Sequence, residues 1–213
     1  MSHGVIAKEG SLIDASFVDV PRQRNSREEN ACIKKGEIPA SFEKEDKNGR
    51  KSKLAQKDTY ARWMTKSGER HFGYKNHINA DPNTKLIARY SVSSASPHDS
   101  TEIENIVDKT DSAYRSTKIE AFLEDIKYES FVHKKGYRNN PLTEEQKQSN
   151  KTKSKIRARV EHVFGFMTNS MNNALYMRSI GLKRIKSSIG FLNLTYNLLR
   201  YEQLVRLKKV RIM

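Results

Sequence analysis

The stretch 151–167 constrains this chain most, because it sets a single carboxylate, Glu161, inside a basic segment with helical periodicity. Lys151, Lys153, Lys155, Arg157 and Arg159 all precede the acid within ten residues. Apolar side chains recur at Ile156, Val160, Val163, Met167 and Met171, a spacing of four, three, four and four that predicts a helix laid on a core. Glu161 borders that stripe, with Arg157 one turn before it and Gly165 one turn after. A solvated Glu–Arg pair is the ordinary explanation of such a pattern and is worth little energetically. The rest of the chain decides whether that explanation suffices.

Charge is unevenly distributed. Residues 1–130 carry 22 Lys and Arg against 21 Asp and Glu, a net of +1, whereas residues 131–213 carry 18 against 4, a net of +14. An excess confined to one part of a chain marks polyanion binding, since neutralised phosphates release condensed counterions. Nucleic acid is the expected partner. Of 213 residues 36% are hydrophobic, enough for one core, while 31% charged residues and a mean hydropathy of −0.81 leave long polar segments outside it. The single cysteine, Cys32, excludes an internal disulfide and a cysteine-rich zinc site and points to a reducing compartment. No apolar run reaches membrane-spanning length and the amino terminus lacks a signal-peptide core, so a soluble, intracellular protein is expected.

Residues 10–20 predict a strand, with Ile13, Ala15 and Phe17 on one face and Leu12, Asp14, Ser16 and Val18 on the other. Asp14 is out of place there: the charge is costly to bury without a partner, so a metal ion or other cation is expected beside it. From Pro21 to about Ser67 the sequence is polar and without sustained period, and a long mobile loop is expected. Its later part mixes cations with Tyr60 and Trp63, which suits contact with a nucleic-acid backbone or base and equally suits packing on the domain. A hairpin follows, with Phe72, Tyr74 and Ile78 on one face of 71–78, turn chemistry at 80–84, and a return over 85–92. The segment 93–97 ends that strand, and 98–101 offers caps for a helix to about Asp108. His71, His77 and His98 lack metal-ligand spacing and read as hairpin and capping residues. After Asp111 the pattern predicts a helix over 116–126, a strand near 128–132 and a polar basic segment over 134–143, before the Glu161 helix begins. A final amphipathic helix over 183–209 sets Ile185, Ile189, Leu192, Tyr196 and Leu199 on its sheet side and Arg200, Arg206, Lys208 and Lys209 late. The order of elements is an α/β plan with a mixed sheet.

Three carboxylates stand where structure alone does not require them: Asp14 within a strand, Asp111 at a junction, and Glu161 on the late helix. Brought together, they can hold two divalent ions about 3.5–4 Å apart, a geometry that activates an attacking oxygen and stabilises a leaving one in phosphoryl transfer. Hard oxygen ligands and phosphates suit Mg²⁺. Beside a polyanion-binding surface, that chemistry cuts or joins nucleic-acid backbone.

Successive blocks, at 12–16, 63–77, 94–100, 111–115, 135–143 and 156–165, together resemble the DDE transposases of bacterial insertion sequences, over nearly the whole chain from residue 10. The resemblance implies one RNase H-like catalytic domain over 1–213, a mixed β-sheet flanked by helices with the polar loop after the first strand. It implies DNA strand cleavage and strand transfer with two Mg²⁺ ions, for which Mn²⁺ substitutes. The implied partner is double-stranded DNA, as transposon ends and target, met by a homo-oligomer in a synaptic complex, with no membrane and a cytoplasmic, nucleoid-associated location. Asp14, Asp111 and Glu161 correspond to the family's catalytic, metal-ligating Asp, Asp and Glu. Arg157, four residues before the Glu, belongs to the signature around it and orients the acid or a phosphate. Further DNA contacts are expected from Arg159, Lys155, Lys153, Lys134, Lys135 and Arg138.

The chain departs from the family pattern in three places. Thirteen residues precede Asp14, where relatives carry a helical DNA-binding region. Thirteen residues separate Pro97 from Asp111, short for a capping helix, a turn and a central strand. Thr168 stands seven residues after Glu161, where many relatives have a cation. A truncated or inactive transposase is therefore part of the expectation, beside two alternatives: a non-catalytic DNA-binding remnant, and a nuclease that cuts without joining.

Overall fold

The structure, a computed structural model, describes residues 12–106 and 143–207. Four strands, β1 (Leu12–Asp19), β2 (Arg62–Lys66), β3 (Glu69–Ala80) and β4 (Ile87–Ser94), form one sheet. β3 is its spine. β1 lies along one edge of it, from Leu12 opposite Ala80 to Asp19 opposite Gly73. The other edge is shared: β2 takes Glu69 to Gly73 and β4 takes Tyr74 to Ala80. Gly73 sits between Asp19 and Arg62, and a Cβ there would stand 2.2 Å from the Val18 carbonyl oxygen, so the crossing of three strands requires glycine.

All strand pairings among the described residues are antiparallel, and one isolated parallel bridge joins Asp19 to Tyr176. This is an α/β arrangement with an antiparallel sheet flanked by helices. The predicted helix over 116–126, the strand near 128–132 and almost all of the basic segment lie outside the described residues, so the mixed character of the sheet rests on elements not seen here.

Strand alternation puts Leu12, Asp14 and Val18 of β1 on the same face as Tyr74, Asn76 and Ile78 of β3. Two long helices, α5 (Glu144–Asn169) and α6 (Leu182–Arg206), cover that face. Val160, Val163 and Met167 of the stripe read from spacing are buried, with Met171 partly buried against them and Ile156 outside the described side chains; together with Phe164 they join Ile185, Ile189, Leu192 and Tyr196 of α6 over the sheet. Each such side chain contributes about 1.5–3 kcal/mol when fully buried. α5 begins with a capping box, Thr143 Oγ1 accepting from the Gln146 amide at 3.3 Å and Gln146 Oε1 accepting from the Thr143 amide at 3.2 Å.

Past Tyr196 the expectation for α6 changes. Leu199, expected inside, is 39% exposed, and burial resumes at Leu204. At this level α6 meets the β3–β4 turn rather than the sheet, and polar side chains take over. Asn197 donates to the Ile87 carbonyl and accepts from its amide, both at 2.8 Å, and Arg200 Nε donates to the Thr84 carbonyl at 2.8 Å.

The segment 21–67 differs most from its reading as a loop. It carries helices α1 (Arg27–Lys34), α2 (Ala40–Glu43) and α3 (Ser52–Gln56) as well as β2. Ser26 and Glu29 form a second capping box, at 3.1 and 2.9 Å. Ile33 and Phe42 are buried beneath these short elements, and Glu29 accepts from Lys53 and Ser41, each at 2.7 Å. Those bonds, that of Lys53 first, hold the Glu29 carboxyl at a pKa of about 2. The helices are too short to show a period of their own, and side-chain anchors to other segments order them.

On the opposite sheet face, a 3₁₀ turn (Asp99–Thr101) and the one-turn helix α4 (Ile103–Ile106) replace the single helix expected after Pro97. Asp99, expected to cap it, is instead the counter-ion of Lys75, at 2.7 Å.

Candidate active site

β1 brings Asp14 opposite Ile78, a fully buried residue, while Asp14 itself is half-buried. Its neighbours along the same face, Leu12 and Val18, belong to the core. The local reason for strand is the run of apolar and β-branched residues on both sides of the acid, and the pleat then fixes the side of the sheet on which Asp14 stands. That side is the one α5 packs against.

Glu161 follows Val160, which is buried against the sheet, by one residue of helix. It is therefore turned about 100° from the sheet-facing line of α5. It is exposed and lines an open cleft of about 540 Å³ whose other charged lining residues are Lys85 and Arg200, with His162 beside them. Among those lining residues Glu161 is the only acid. The cations of this cleft are not the ones that precede Glu161 in the sequence: Lys85 comes from the β3–β4 turn and Arg200 from α6. Gly165, one turn further on, also lines the cleft, and a Cβ there would meet nothing within 4 Å. Tyr196 closes part of the floor, donating from its hydroxyl to the Lys85 carbonyl at 3.0 Å. Burial pushes that phenol up to about 12, against the pull of Arg200.

The remaining expected site residues divide. Asp111, Lys134, Lys135 and Arg138 lie outside the described residues. Lys153, Lys155 and Arg157 lie on α5, Arg157 one turn before Glu161, with their side chains outside the described set. Arg159 is exposed, and its guanidinium donates to the Pro82 carbonyl at 3.2 Å, on the flank of α5 away from Glu161. It therefore ties the helix to the β3–β4 turn.

Among the described residues no three His, Cys, Asp or Glu side chains are grouped to hold a metal ion. Two histidines are engaged elsewhere. His71 stacks on Phe17, centroids 4.1 Å apart, and meets Asp19 at 3.2 Å, while His77 is buried with Nε2 2.8 Å from Ser93 Oγ. Sequence reasoning passed over Lys75, nearly inaccessible and bonded to the Pro97 carbonyl and Asp99, each at 2.7 Å, beside a small cleft of about 180 Å³ that Phe17, Lys66 and Asp99 also line. Its only signal was a lysine near the middle of a strand that has Phe72 and Tyr74 before it and Ile78 after it.

Residues 7–198, almost the whole chain, match the family model described as the transposase DDE domain. The chain belongs to that family. A curated relative of this DDE domain, the transposase for insertion sequence element IS1106 of Neisseria meningitidis serogroup B, is 27% identical over 154 residues. The match covers 68% of this chain and 52% of the relative, so the chain spans about half the relative's length. No solved structure matches. Asp14 stands on the first strand and Glu161 on the helix packed across that strand. No helix among the described residues is long and apolar enough to cross a membrane.

Proposed function

We propose that the chain is the catalytic domain of an insertion-sequence transposase, which cuts DNA and joins the freed 3′ end to a target. The observation that carries this is Glu161, the one acid of a cationic cleft, on the helix that packs over the strand bearing Asp14. The family match supports the reading. On it the whole chain is one RNase H-like unit, and Asp14, Asp111 and Glu161 form one site.

An all-carboxylate donor set is hard and anionic, which suits Mg²⁺ or Mn²⁺ and disfavours softer metals. Asp14 and Glu161 would hold the metal with Asp111. Bound there, it supplies charge stabilisation at the scissile phosphate and a more acidic water. The basic carboxy-terminal part, 18 cations against 4 acids over residues 131–213, binds the DNA backbone. Arg157 orients Glu161 or a phosphate. Water breaks one phosphodiester and leaves a 3′-hydroxyl. That hydroxyl then attacks a target phosphodiester, forming a new 3′–5′ linkage while the target strand's own 3′-oxygen leaves and takes up the proton, so the bond formed balances the bond broken. The partner is double-stranded DNA at element ends and target, engaged by a homo-oligomer in the bacterial cytoplasm at the nucleoid.

The second reading is a DNA-binding remnant. Thr168 favours it: its hydroxyl back-bonds to the Phe164 carbonyl at 3.0 Å and offers no charge where many relatives have a cation. End-labelled element DNA incubated with the whole chain and Mg²⁺ separates the two. Nicked and joined products support the transposase, and salt-sensitive binding without Mg²⁺-dependent product supports the remnant.

A further inference from the structure

The β2–β3 hairpin carries a cluster that the proposed site does not use. Trp63 projects from β2 with 46% of its surface exposed, and Tyr60 just before the strand is 56% exposed. Exposed tryptophan is uncommon without a partner, because the indole is the largest apolar surface a side chain offers. One part of the ring leans on Phe72, centroids 5.0 Å apart and planes at 42°. Over the ring sits the Arg22 guanidinium, 5.5 Å from the centroid, steadied by a 3.4 Å bond to the Arg70 carbonyl. Arg22 and Arg70 are exposed on this side, with Glu69 the one acid of the hairpin, while Lys66 points to the opposite face, over Phe17. Arg62 takes no part, since its guanidinium is spent on the carbonyls of Ile33, Thr59 and Ala61.

We infer that this hairpin is a second DNA-contact surface, in which Trp63 stacks an unpaired base and Arg22 and Arg70 take the flanking phosphates. The inference rests on the transposase reading and adds a place on the DNA path. Charge decides the occupant: exposed aromatic rings beside the exposed cations Arg22 and Arg70 fit a polyanion with π faces, not an apolar or cationic protein surface. Register fixes the position. Trp63 pairs with Phe72 and Asp14 with Ile78, six residues apart on β3, so both stand on the same side of the sheet. At about 3.3 Å per strand residue they are roughly 20 Å apart, a span of about six nucleotides.

Trp63 is the chain's one tryptophan, so its emission reports on this surface alone. The whole chain is titrated with a fluorescein-labelled duplex carrying a single-stranded overhang and with the same duplex blunt, anisotropy reading DNA binding and tryptophan emission reading Trp63. The overhang duplex is expected to quench Trp63 strongly and the blunt duplex weakly. Trp63→Leu, which keeps apolar packing on Phe72, is expected to weaken overhang binding by about fivefold to a hundredfold, with Trp63→Phe recovering most of it. Arg22→Gln is expected to lower the salt dependence of binding. Anisotropy that rises with no change in emission and no effect of Trp63→Leu overturns the inference and leaves the transposase reading standing. Emission that changes with protein concentration alone assigns the surface to a second copy and also overturns it. If neither duplex binds, the transposase reading fails and the inference with it.

Discussion

The hydroxyl of Tyr74 donates to the carboxylate of Asp58, 2.8 and 2.9 Å from its two oxygens, inside the protein. The same carboxylate accepts from the amides of Tyr60, Ala61 and Gly181, so one buried acid fastens the segment before β2 to the sheet and to the start of α6. Burial, with the Asp58 charge beside it, raises the Tyr74 phenol far above its ordinary range. Asp58→Ala orphans four donors and is expected to destabilise the fold by about 3–5 kcal/mol, against about 1–2 for Tyr74→Phe, as read by urea unfolding. Equal and small losses would show that the segment is held by other contacts.

A second polar pair crosses from sheet to helix. Asn76 and Asn193 exchange amide hydrogen bonds at 2.8 and 3.2 Å, fully enclosed between β3 and α6. Asn193→Leu leaves Asn76 buried without its partner, at a cost of about 1–3 kcal/mol. The double substitution Asn76→Leu/Asn193→Leu is expected to be less destabilising than the sum of the singles, because no orphan remains. A double-mutant cycle from denaturant midpoints checks this.

His77 sets an acid limit on stability. Desolvation lowers its pKa from the ordinary 6.5, prevailing over the pull of Asp99 and Glu102, with Lys75 acting in the same downward direction. The unfolded imidazole therefore binds a proton that the folded one refuses. The stabilisation is complete above about 6.5 and is lost as the pH falls below it. Thermal unfolding at pH 7.5 and 5.5 is expected to show a smaller drop for His77→Gln than for the native chain.

Two glycines are expected to respond oppositely to alanine. Gly73→Ala drives a methyl into the Val18 carbonyl at the three-strand crossing and should prevent or severely weaken folding. Gly165→Ala meets open space in mid-helix and should stabilise α5 by about 0.5–1 kcal/mol. If that stabilised variant loses DNA processing, the open face beside Glu161 is where substrate approaches.

What the sequence made legible followed from period and turn chemistry: β1, the hairpin of β3 and β4, and the buried stripes of α5 and α6 down to Tyr196. The helices within 21–67 escaped because each is too short to have a period, although Ser26 and Glu29 spelled a capping box. Asp58 could not be singled out at all, since its four donors come from parts of the chain up to 123 residues away. At the site, the odd chemistry of Asp14 in an apolar strand and of Glu161 in a basic helix was visible in the residues themselves. The roles of Arg159 and Asp99 depended on partners, the Pro82 carbonyl and Lys75, that only the fold supplies.

The central claim, that Asp14 and Glu161 serve one metal site, is tested most directly by titrating Mn²⁺ into the whole chain and reading free ion by electron paramagnetic resonance. Asp14→Asn and Glu161→Gln, each confirmed folded by circular dichroism, are expected to weaken binding at least about tenfold, since each removes a charged ligand. Binding by both variants equal to that of the native chain would contradict it.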